Sequence, residues 1–429
     1  MNKVEETVIR ENGRTIHFVP SRKFKTLSIT AKFMAPLERE TITRRALLPY
    51  ILKQGTKNYP STEMFQKKLD ELYGAVLSVS GGKKGENHII TLRLELANEK
   101  FIDGEANIVK EGMDLLNEII FQPNADGGKF DENIVAREKD TLKQKINAIR
   151  DDKMSYANMR LIDEMCEGEA YQLHVQGYEE DLGKITAENL YDYHQTIISE
   201  DQLDVYVLGD FAEEEMKANL SSLFQRNTND SQVSAEPSVG KQNLNVQEKV
   251  EKLEVQQAKL HIGYRTNITY RDDDYFALQV FNGLFGGFPS SKLFLNVREK
   301  HSLAYYASSR LESHKGLMFV ISGIAPEDYE KAKEIIGQQT KAMKEGNFTE
   351  EQLTETKELI VNQLLETMDH PYGIIELLYQ QVLAGRDLPP DELIAGIKKV
   401  TKQDVVQAAE KMQQDTVYLL TSKEASTNA

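Results

Sequence analysis

The chain has a single cysteine, Cys166, in 429 residues, which excludes an intrachain disulfide and suits a reducing compartment. It has no apolar run approaching the roughly 18 residues that a membrane-crossing helix needs. With 40% hydrophobic and 28% charged residues, it reads as a soluble globular protein without a membrane partner. Met1 to Glu6 is charged and lacks the apolar core of a secretion signal, so a cytoplasmic location is expected. Positive charge is also short: 52 Lys and Arg against 68 Asp and Glu give a net charge of -16. A phosphate-backbone partner needs a basic face, so nucleic-acid binding is excluded as an expectation. Histidine is sparse and scattered. The eight residues His17, His88, His174, His194, His261, His301, His314 and His370 include no pair at the spacing of helical metal ligands. A hydrolytic zinc requires three protein ligands, an open position for water and a carboxylate to take its proton. Here only an assembly of distant histidines could build one, and Cys166 has no neighbour that would make it a nucleophile.

What is present is a repeat. At 48.8 kDa the chain exceeds a single-core size, so two or more domains are expected. Ile29 to Thr56 lies over Leu260 to Gly287 without a gap, each copy reading as a short strand, a loop, an apolar helix and a glycine. Ala75 to Ser80, a turn at Gly81-Gly82 and the alternating Ile90, Leu92, Leu94, Leu96 predict a hairpin, followed by a helix through Ile108, Leu115 and Ile119. Their counterparts are Tyr305 to Arg310, Leu317 to Ser322 and a helix from Pro326 through Ile336. The stretches starting at Ile185 and Val400 match as a helix feeding a final strand. Between the halves, Arg226 to Gln242 is polar and carries Pro237 and Gly240, the composition of a linker. The expectation is an α+β protein of two homologous halves, each an antiparallel-rich sheet backed by helices on one face. Residues 1–225 form the first half, 226–243 the linker and 244–429 the second.

The stretch SSKLFLNVREKHSLAYYASS, preceded by Asn282-Gly283-Leu284-Phe285-Gly286-Gly287, resembles the C-terminal-half signature of the pitrilysin, insulinase and mitochondrial-processing-peptidase family. The resemblance spans essentially the whole chain and is nearest to the short bacterial, YmfF-like members that lack the zinc motif. It implies subunits of this length that pair as a clamshell, and an inverted zinc motif, HxxEH, on a helix of the first half. With Gly55-Thr56 anchoring the register, Ala46 stands for the first ligand histidine, Pro49 for the catalytic glutamate and Tyr50 for the second histidine. Downstream, Glu138 keeps a supporting position and Lys145 replaces the third ligand. An ammonium has no lone pair and repels a dication, so no metal and no catalytic residue is expected in this chain. Ala46 to Tyr50 is then a packed helix segment, bent or ended near Pro49.

The resemblance also implies that Arg298 and Tyr305, inside VREKHSLAY, bind substrate. A guanidinium and a phenol are fixed donors suited to a peptide carbonyl and the charge that develops on it. The aligned positions of the first half are Lys68 and Ala75, so only the second half carries the pair. Other conspicuous groups have ordinary readings. Asp151-Asp152 and Asp272-Asp273-Asp274 suit helix starts, and Gly286-Gly287-Phe288-Pro289 lacks the pattern and lysine of a phosphate loop. The expected function is that of a non-catalytic, substrate-binding subunit of a heterodimeric zinc peptidase, its HxxEH-bearing partner holding the zinc and its substrates being peptides. The alternatives are a non-proteolytic scaffold of the same fold, and an autonomous peptidase, which would need metal.

Overall fold

A computed structural model describes residues 4–102, 107–227 and 245–422. The described residues divide into two compact units. One is drawn from Met1–Asn147, Leu173–Glu236 and His370–Glu376, the other from Ala148–Gln172, Pro237–Asp369 and Leu377–Ala429. From residue 228 onward, the segment read as a linker lies outside the described residues. Just before it, Arg226 is pinned in the first unit, its guanidinium donating to the carbonyls of Gly13 (2.5 Å) and Ile198 (2.8 Å).

The first half of the chain supplies strands β1 (Thr7–Glu11), β2 (Arg14–Pro20), β3 (Thr26–Pro36), β4 (Val76–Lys84), β5 (Asn87–Ala97), the short ribbon β6 (Ala125–Asp126) and β7 (Lys129–Phe130), and β8 (Gln202–Gly209). Its helices are α1 (Ile42–Leu52), α2 (Thr62–Glu71), α3 (Ile108–Phe121), α4 (Glu132–Asp151), α5 (Lys153–Met165), α6 (Glu179–Leu182), α7 (Ala187–Glu200) and α8 (Glu213–Leu220). The main sheet has the order β1-β2-β8-β3-β5-β4, antiparallel except for β2 with β8. Alternation decides its two faces. Ile29, Ala31, Phe33 and Ile90, Leu92, Leu94 pack with Leu47 and Leu48 of α1 and Met113, Leu116 and Ile120 of α3 into one core. The predicted turn at Gly81-Gly82 is not one: both glycines lie within β4, and the chain reverses at Gly85 (φ 54°). A side chain at Gly81 would make only ordinary contacts, with the His88 ring at 3.4 Å and Pro49 at 3.9 Å.

The second half supplies β9 (Gln247–Leu253), β10 (Ala258–Arg265), α9 (Tyr275–Asn282), π-helical turns at Gly283–Gly287 and Phe294–Lys300, β11 (Ala304–Glu312), β12 (Leu317–Ile324), α10 (Tyr329–Lys344), α11 (Glu350–Thr367), α12 (Pro371–Ala384), α13 (Pro390–Lys399), α14 (Lys402–Lys411) and β13 (Gln413–Ser422). Its sheet runs β11-β12-β10-β13-β9, with only β9 and β13 parallel. Read backwards, this is the order of the first sheet without β1, each strand matching its partner in the repeat. The α+β class and the paired, mostly antiparallel sheets are therefore as the repeat predicts.

The exchange of helices was not legible. α5, from the first half, belongs to the second unit, where Tyr156, Leu161 and Met165 pack on Phe319, Tyr418 and Leu420 across the face opposite the main helical layer. Gly263 of β10 makes room for it, since a side chain there would meet Met165 Sδ at 2.5 Å. Conversely, the first turns of α12, from the second half, belong to the first unit. There Glu376 lies 2.5 Å from the buried Lys32 ammonium, and Tyr372 receives the Arg93 guanidinium 4.7 Å from its ring centre.

Candidate functional site

The helix expected to carry a metal motif is α1, with sequence ITRRALLPYIL. It does not stop at Pro49 but runs through it to Leu52. It is held from inside by Arg45, which is 1% exposed. Its Nη2 donates to the carbonyls of Phe33 (3.3 Å) and His88 (3.2 Å) and to the Asp201 carboxylate (2.5 Å), so the buried charge is compensated through one nitrogen by Asp201. Ala46 is buried in the core, while Tyr50, near the helix end, is half-buried.

Across from α1, Glu138 of α4 is buried and accepts from Arg137 Nε (2.8 Å) and Gln54 Nε2 (3.2 Å). Lys145 does not pair with it. Its ammonium sits 4.7 Å from the centre of the Tyr50 ring, and the Lys53 ammonium 5.1 Å from the same ring. The residues at the positions of a zinc site are thus a methyl, a proline ring, a phenol and an ammonium, with the Lys53 ammonium also beside the phenol. This set does not fit a divalent ion: only the phenol could ligate, and the local charge opposes it. Among the described residues, no group of three or more His, Cys, Asp or Glu side chains is placed to hold a metal.

Four of the eight histidines, His17, His88, His194 and His261, are buried. Burial, helped by Arg45, drops His88 to about 3, and neither of its ring nitrogens has a hydrogen-bond partner. Burial takes His194 to about 4, although its Nε2 bonds the Ile120 carbonyl at 2.9 Å. His261 falls to about 3, through burial first and then Arg310 and Lys259. For His17, burial is outweighed by Asp204 (3.1 Å) and Glu6 (2.7 Å), which raise its pKa. Four of the five carboxylates singled out in the sequence are engaged as well. Asp152 caps α5 through the Met154 and Ser155 amides (3.1 and 3.3 Å), Asp272 accepts from Thr269, and Asp273 and Asp274 pair with Arg386 and Lys411.

Arg298 lies in the π-helical turn Phe294–Lys300, whose Leu293 and Val297 are fully buried while the guanidinium points outward over the Phe294 ring, 4.6 Å from its centre. The Leu303 amide donates to the Val297 carbonyl at 2.9 Å and ties this turn to the start of β11. Tyr305 falls where the β11–β12 register slips, between Ala304 and Tyr306, and its side chain is 73% exposed. A bulge on a margin strand aims a side chain away from the sheet. Gly286 beneath them is a packing glycine, because a side chain would strike the Ser309 amide at 2.6 Å. The register slip and the π-helical turns leave no mark in hydrophobic periodicity, so the sequence could place the two donors only by their spacing.

Over 426 residues, covering 99% of this chain and all of the relative, the sequence is 47% identical to "Probable inactive metalloprotease YmfF" of Bacillus subtilis (strain 168). The chain belongs to the M16 peptidase family. The family model for the "Peptidase M16 inactive domain" matches residues 184–360. A further relative, "Uncharacterized zinc protease YmxG" of Bacillus subtilis (strain 168), is 23% identical over 71% of this chain and 72% of its own. Among solved structures, a conserved protein from Enterococcus faecalis V583 superposes with a TM-score of 0.91 at 32% identity, covering 99% of this chain and 100% of that one. Over 99% of its length the chain is thus similar to a relative described as a probable inactive metalloprotease. Among the chain's described residues no helix is long and apolar enough to cross a membrane.

Proposed function

We propose that this M16 chain is the substrate-binding, non-catalytic subunit of a two-chain zinc peptidase. A homologous partner bearing HxxEH supplies the metal and the general base, and this chain supplies Arg298 and Tyr305. The observation that carries the reading is the contrast between its two candidate sites. The α1–α4 surface is poor in metal-binding chemistry, whereas Arg298, 3.8 Å from the Glu299 carboxylate, and Tyr305 stay exposed on a π-helical turn and a margin strand. A scaffold alone has no use for such a pair. The substrates are peptides in extended form, which can add to an open strand edge, and the reaction is leader-peptide processing or the degradation of short peptides.

The test is reconstitution with an HxxEH-bearing homologue and a quenched fluorogenic peptide. Neither chain alone should cleave, and the mixture should. The Arg298→Ala, Tyr305→Phe double variant should still associate but lose about a hundredfold in kcat/KM, the scale of a lost transition-state donor. Full activity with that variant would contradict the assignment.

A further inference from the structure

The mismatch with a metal site points to a ligand of the opposite sign. Tyr50 presents a half-buried ring with the ammoniums of Lys145 and Lys53 at 4.7 and 5.1 Å from its centre. Neighbouring cations are already used: Arg137 on Glu138, Lys139 on the Ile185 carbonyl (2.8 Å), Lys143 on Glu179 (2.9 Å). Lys53 and Lys145 differ, for among the described residues neither is paired with a carboxylate. In a chain of net charge -16, two unpaired ammoniums converging on one phenol form a local positive spot. The spot lies at the end of α1, whose Pro49, next to Tyr50, lies 3.9 Å from the side-chain position of Gly81 in β4, the outermost strand, which among the described residues pairs with β5 alone.

We propose that Tyr50, Lys53 and Lys145 form a carboxylate-binding site that anchors the C-terminus of an extended peptide lying along β4. Each ammonium donates to a carboxylate oxygen, and the aromatic ring holds the two lysine stems in place. The site binds and performs no chemistry. It rests on the reading of this chain as peptide-binding, and adds the end of the peptide that the α1–α4 surface recognises.

The test measures fluorescence anisotropy of a labelled extended peptide on the full chain, in three forms: free C-terminal acid, C-terminal amide, and amide with a glutamate as its last residue. The free acid should bind about three- to tenfold more tightly than the plain amide, the range expected for two solvent-accessible ion pairs. That preference should shrink as salt is raised. In the Lys53→Gln, Lys145→Gln double variant the preference should vanish, with amide binding unchanged. If the glutamate-ended amide matches the free acid, the carboxylate site stands and its source is a side chain. Equal binding of acid and plain amide to the native chain, or an acid preference that survives in the variant, would overturn the site and leave the peptide-binding reading intact. Absence of binding by all three peptides would overturn both.

Discussion

At the scale of single residues, the buried imidazoles make the clearest stability prediction. His88 and His261 titrate near 3 and His194 near 4 in the folded chain, against about 6.5 when unfolded. Their neutral forms therefore contribute stability that is complete above pH 6.5 and is lost as pH falls towards 4, each costing about 1.4 kcal/mol per pH unit once well below 6.5. His17 runs the other way. Its raised value gives stability that is full in acid and fades as pH climbs through its folded pKa. His261→Leu removes one of the acid-sensitive groups. Relative to the native chain, it should gain about 1 kcal/mol between pH 7 and about pH 5.5, read from urea unfolding at both; a difference independent of pH would refute the assignment.

Elements carry the next predictions. Glu376, on α12, compensates Lys32, whose ammonium is buried in the sheet and held below its ordinary pKa by that burial. Glu376→Gln removes the carboxylate that faces that charge and should cost about 3 kcal/mol, whereas the Lys32→Met, Glu376→Leu pair should recover most of the loss. Equilibrium denaturation distinguishes the two. Gly286→Ala forces a side chain against the Ser309 amide and should cost about 1–3 kcal/mol, seen as a lowered melting temperature. These elements also mark where the sequence stops informing. Strand and helix order were legible because apolar residues recur at period 2 in β3 and β5 and along one face of α3. The exchange of α5 and α12 was not, because an amphipathic helix records that it packs, not on which sheet. The turn misplaced to Gly81-Gly82 has a similar cause: glycine occurs both at reversals and inside strands, and here the left-handed reversal falls at Gly85 while the pair lies within β4.

For the whole molecule, the repeat was the most readable feature, and the two sheets carry it almost strand for strand. The candidate sites were readable unequally. By residue type, Ala46, Pro49, Tyr50 and Lys145 offer a metal at most one ligand oxygen, that of the phenol. That Lys145 turns to Tyr50 while Glu138 turns to Arg137 and Gln54 depends on side-chain directions that spacing does not encode. The central claim is that this M16 chain cannot hold the metal and relies on a partner for it. Zinc content measured after dialysis, on the isolated chain and on the reconstituted pair, tests it most directly. Essentially no zinc is expected on the chain alone and about one ion per pair, held by the HxxEH-bearing subunit; one tightly held zinc on the isolated chain would contradict it.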